Sequence, residues 1–87
     1  MISEKTLRNE IKIVREACYK ASLYSGTFRA ITLSAEQMQL REIEKMPEIS
    51  IEILKPMIKE ARKNAVGSCQ GSGRLEALMI TSRILTR

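Results

Sequence analysis

Ile49-Ser50-Ile51-Glu52-Ile53-Leu54-Lys55-Pro56 is the stretch on which the fold turns. Its first five residues alternate apolar and polar side chains, the period of a strand with one buried face, whereas Ile51, Leu54, Ile58, Ala61 and Ala65 recur at the spacing of a helix stripe. Pro56 separates the two readings. In a helix interior proline withholds an N–H and costs about 3 kcal/mol, while at the first helical position it costs little. The expected helix therefore runs from Pro56 to Val66, preceded over residues 49–54 by an extended lead-in or one short strand.

Working outward from this segment, the patterns are helical on both sides. Leu7, Ile11, Val14, Cys18 and Ala21 repeat at intervals of four and three, and Ser3 is placed to cap the run, with Ile2 and Leu7 as a hydrophobic staple. Gly26 closes it, so the first helix is expected from Glu4 to Ser25. Ser34-Ala35-Glu36-Gln37 has the form of a capping box, which predicts a second helix from Ala35 to Met46, stopped by Pro47. On the carboxy-terminal side, Gly67-Ser68-Cys69-Gln70-Gly71-Ser72-Gly73 reads as a loop, and a last helix follows from Arg74. Leu75, Leu78, Met79 and Leu85 form one stripe of that helix, and Ala77, Ile80 and Ile84 fall on the other side. The expected architecture is all-α: one domain over residues 1–87, a bundle of about four helices. With aromatics at 3% of an otherwise 44% apolar chain, the core must be built of Ile, Leu, Met, Val and Ala, which suits helix-on-helix packing.

The residue types that are missing bear on chemistry. The chain has no histidine and no aspartate, and none of its glutamates, lysines, tyrosines or cysteines is spaced to pair a nucleophile with a base, so a non-enzyme is expected. Two distant cysteines without histidine do not make a zinc site, and no metal or cofactor is expected. The glycine segment lacks the Lys-Ser/Thr pair of a phosphate-binding loop, since Arg74 and Leu75 follow Gly73. Cys18 and Cys69 read as free thiols of a reducing compartment, and the charged segment Met1–Lys5 lacks the apolar run of a secretory leader. Charges interrupt every apolar stretch well short of a membrane span, so the expected location is the cytoplasm.

Met46 to Ile53, followed by a helix, a glycine turn and a second helix, resembles the ribbon-helix-helix repressors, in which paired strands enter the DNA major groove. In that arrangement Glu48, Ser50 and Glu52 would face DNA, where two carboxylates meet repulsion from phosphates.

Charge carries the remaining functional signal. Net charge is +5, negative only over residues 34–54, where five acidic side chains face two basic ones. Lys5, Arg8, Lys12 and Arg15 share one face of the first helix, and Lys55, Lys59, Arg62 and Lys63 flank the stripe of the third. The reading that follows is a small helical binding protein, an inhibitor or adaptor, working as a dimer or in complex with a protein partner. Ile80 and Ile84 are its expected apolar anchor, and Arg8, Lys12, Arg15, Lys59, Arg62 and Lys63 its partner-binding charges. The alternative is a nucleic-acid-binding regulator whose basic faces contact phosphates.

Overall fold

The computed structural model describes residues 2–87 and shows four helices, α1 (Glu4–Ser22), α2 (Thr27–Lys45), α3 (Ile51–Ala65) and α4 (Cys69–Leu85), with no strand among the described residues. Three of the four begin on a serine. The side chain of Ser3 accepts from the Thr6 N–H at 3.2 Å, that of Ser50 from Ile53 at 3.3 Å, and that of Ser68 from Gly71 at 3.0 Å. Each hydroxyl satisfies one amide that a helix start would otherwise leave without a partner.

The cap at Ser50 settles the segment that opened the question. Only Ile49 and the extended Ser50 lead into the helix; residues 51–54 belong to it, with Ile51, Glu52 and Ile53 forming the first turn of α3 and Leu54 wholly buried. Without a strand there is no ribbon, and the likeness to the ribbon-helix-helix repressors ends there. Pro56 lies inside this helix, beyond its first turn. Its missing N–H leaves the carbonyl of Glu52 without its usual partner, but both residues are exposed, so water is available to that carbonyl. The packing of Leu54, Met57, Ile58 and Ala61 on the core offsets the loss.

Two other boundaries depart from expectation. First, α2 starts at Thr27 with Gly26 as its N-cap, and Ser34 sits exposed in mid-helix instead of capping anything. The buried stripe of α2 begins at Leu33, ahead of the box, so the helix continues back through it, and α1 ends earlier than expected, at Ser22. Second, α4 starts at Cys69 and takes Gly71 and Gly73 into its first turns. Among the described residues only Gly67 has positive φ, at 72°, in the short turn after α3. The other two serve close approach: a Cβ on Gly71 would stand 2.1 Å from the carbonyl oxygen of Asn64 in α3, and one on Gly73 would stand 2.2 Å from that of Thr32 in α2.

Those contacts define the architecture. α4 packs on α2 with one side and on α3 with the other, and α1 packs mainly on α2, giving the spatial order α1, α2, α4, α3. Neither α1 nor α2 packs directly on α3. Because α4 has neighbours on two sides, both of its apolar faces are used internally. Ile84 is only 3% exposed within the core, and Ile80 is half-buried against it. The expected two-residue anchor is therefore corrected: Ile84 is unavailable to a partner, and Ile80 is largely committed to packing. The core also holds Leu7, Ile11, Leu33, Leu40, Ile43, Ile49, Leu54, Ala77 and Leu78, all aliphatic, with the thiol of Cys18 among them.

Candidate functional site

The basic residues of the first helix divide into two kinds. Arg8 reaches from α1 across to the end of α2, where its guanidinium donates to the carbonyl oxygens of Glu44 at 2.6 Å and Met46 at 2.7 Å, while Glu4 accepts from it at 3.0 Å. A cation at a helix carboxy end satisfies orphan carbonyls and complements the helix dipole. Arg15 donates to the Glu44 carboxylate at 2.6 Å, and this hydrogen bond raises its already high pKa. Arg8 and Arg15, expected at a partner surface, both clamp α1 to α2, and Arg8 also lines a shallow concavity with Lys5 and Lys12. Lys12 remains exposed on the same helix.

On α3 the pattern is different. Lys55, Lys59, Arg62 and Lys63 are all exposed, and Lys63 alone has a carboxylate nearby, Glu60 at 3.9 Å. A pair so exposed contributes little to stability. Since α1 and α3 do not pack together, the fold does not join their basic faces into one surface.

A second surface lies where the sequence reading placed nothing. All three aromatic residues, Tyr19, Tyr24 and Phe28, are exposed, the last two at 90% and 77%. They fall at the end of α1, in the α1–α2 turn and at the start of α2, where Leu23 is also exposed; Ile31 and Met38 are exposed further along α2. The clustering of every aromatic within residues 19–28 is visible in the sequence. Their position outside the core is not, because it depends on the aliphatic stripes of α1, α2 and α4 closing the interior without them.

Three polar side chains, Glu36, Gln39 and Thr81, are buried; the sequence reading placed Glu36 in a capping box and assigned nothing to the other two. Thr81 satisfies its hydroxyl within α4 by donating to the Ala77 carbonyl at 2.9 Å. Glu36, 2% exposed, lies beneath the start of α4, close to Gly73. Burial pushes its carboxyl pKa up, the charge of Glu76 adds to this, and the Cys18 thiol and Arg29 act against it. Cys18 is itself pushed up to about 12, by burial first and then by Glu36, which keeps it a protonated, unreactive thiol at neutral pH.

A carboxyl whose pKa is higher folded than unfolded contributes stability that is fully present below the unfolded value and lost as pH rises through the folded one. Glu36→Gln should therefore stabilise the protein at pH 7, and the gain should shrink toward pH 4. Urea denaturation of the two proteins at both pH values measures this. A variant less stable than wild type at pH 7 would show that the charged carboxylate is well satisfied.

No helix among the described residues is long and apolar enough to cross a membrane. Comparisons with protein families, with curated proteins and with solved structures find no match to this chain.

Proposed function

We propose that this chain is a non-enzymatic binding protein, an inhibitor or adaptor, that docks on a partner protein through the aromatic end of its α1–α2 hairpin. One observation carries this reading: the protein leaves its only three aromatic side chains in solvent. A buried aromatic removes roughly 150–250 Å² from water, the largest single hydrophobic contribution a core can receive. Placing all three outside, within ten residues that also expose Leu23, forgoes that contribution and concentrates the side chains that dominate protein interfaces.

Lys20 and Arg29 are exposed in the same segment, so the complementary surface is an apolar pocket with carboxylates on its rim. The docking role that the sequence assigned to Ile80 and Ile84 thus passes to the other end of the molecule.

The test is the paired variant Tyr24→Ser, Phe28→Ser. Both positions are so exposed that folding stability should change by no more than about 0.5 kcal/mol each. Capture from extracts of the native host is run with wild type and variant side by side, and sedimentation measures self-association of each. A protein partner retained by wild type and released by the folded variant is the expected result. Equal retention by both would remove the aromatic end as the docking surface, and loss of self-association alone would make the partner a second copy of the chain.

A further inference from the structure

We propose that the outer face of α3 grips the phosphate backbone of a nucleic-acid duplex without reading its sequence, as a contact surface separate from the aromatic end. Lys55, Lys59 and Arg62 follow one another at intervals of four and three residues, so their side chains leave the helix on one side in a row about 10 Å long. Together with Pro56 and Ile58 they line a single shallow concavity of about 580 Å³, and no carboxylate borders it.

What distinguishes these three cations is that they line one concavity with no carboxylate in it, whereas the basic concavity on α1, with Lys5, Arg8 and Lys12, includes Glu44. The ion pairs among the described residues engage Arg8, Arg15, Lys63 and Arg87, whereas Lys55, Lys59 and Arg62 have no acidic partner there. A row of uncompensated cations around a concavity is a site for an extended polyanion. A duplex carries one charge per roughly 1.7 Å of its axis, so a row of this length spans several phosphates at once.

Other anionic partners fit less well. A membrane surface would call for apolar side chains beside the cations to enter the headgroup region, but the apolar stripe of α3 faces the core and the concavity offers only Pro56 and Ile58. Single strands are held by stacking, and α3 carries no aromatic residue. An acidic protein would need a desolvated apolar centre, which this row lacks.

The experiment is fluorescence anisotropy of a labelled duplex of about 20 base pairs, titrated with the full chain across a series of salt concentrations. Three phosphate contacts predict that log affinity falls against log salt with a slope of about −3. The triple variant Lys55→Gln, Lys59→Gln, Arg62→Gln should lose at least tenfold in affinity at low salt, with most of that slope. A control with the same net charge, Arg41→Gln, Lys45→Gln, Arg83→Gln, alters exposed cations of α2 and α4 and should bind nearly as well as wild type.

Absence of wild-type binding at low salt would overturn the proposal. So would equal loss in the control, which would reduce the effect to overall charge, or tighter binding to phosphatidylserine vesicles than to duplex. The variant Tyr24→Ser, Phe28→Ser should bind duplex as wild type does, so the outcome here is independent of the protein-docking role.

Discussion

Replacing Gly73 by alanine is expected to cost about 3 kcal/mol of folding stability, and replacing Gly71 about as much. At Gly73 the added methyl would meet the Thr32 carbonyl oxygen at 2.2 Å and the Glu36 nitrogen at 3.1 Å; at Gly71 it would meet the Asn64 carbonyl oxygen at 2.1 Å. These obstacles are backbone atoms of packed helices, which no rotamer change can move aside. Relief requires α4 to part from α2 or from α3. Alanine is better than glycine in a helix by about 1 kcal/mol, so the measured loss is what remains after that gain.

The other two glycines supply the contrast. Gly26 has nothing within 4 Å and an ordinary φ of −68°, so Gly26→Ala should be nearly neutral, while Gly67→Ala meets only backbone strain at φ 72°, worth about 1–2 kcal/mol. Thermal melts of the four variants should rank Gly71 and Gly73 as most damaging, then Gly67, then Gly26. If residues 67–73 were a loop, alanine at 71 and 73 would be harmless in the absence of positive φ.

The second large effect is expected at Ile84, where glutamate should abolish cooperative folding. Ile84 is 3% exposed among Leu7, Ile11, Ile43 and the rest of the core, and a carboxylate placed there either loses its hydration or holds a proton at high cost. A domain of this size is stable by roughly 5–10 kcal/mol, and the change removes a buried aliphatic side chain as well as adding a charge. Circular dichroism should show loss of helicity at 25 °C. Were Ile84 a partner anchor on an exposed face, the variant would keep its helix content and its melting temperature and lose only assembly.

How far the sequence carried the reading can be followed residue by residue. The class and number of helices were legible because Leu7, Ile11, Val14 and Cys18 repeat at helical spacing and because Ser3 caps the run, both being local facts. Pro56 misled because its cost was weighed alone, without the burial of Leu54 ahead of it and of Ile58 and Ala61 behind it. Gly71 and Gly73 misled more deeply. A glycine suits a turn or a close helix crossing equally well, and only the facing carbonyls of Asn64 and Thr32, on other helices, decide which.

The candidate sites were legible in the same partial way. The basic faces stood in the sequence, but Arg8 and Arg15 find their acceptors at Glu44 and Met46, about thirty residues or more along the chain, and nothing local marks them as structural. Lys55, Lys59 and Arg62 were read as a face and are one, since their surroundings are set by α3 itself. The second apolar side of α4 was read as an anchor for a partner. Its cover is intramolecular, supplied by the position of α4 between α2 and α3, and the aromatic turn is what stays exposed.

That position of α4 can be measured directly by nuclear Overhauser spectroscopy of the labelled protein in solution. The fold places Gly73 in a helix with its α-carbon against the methyl group of Ala35, so strong cross-peaks between the Gly73 α-protons and that methyl are expected, with helical carbon shifts from Cys69 onward. Coil-like shifts over residues 69–73 and no cross-peak to Ala35 would mean that α4 does not enter the bundle there, and the assignment of every exposed face built on it would fail.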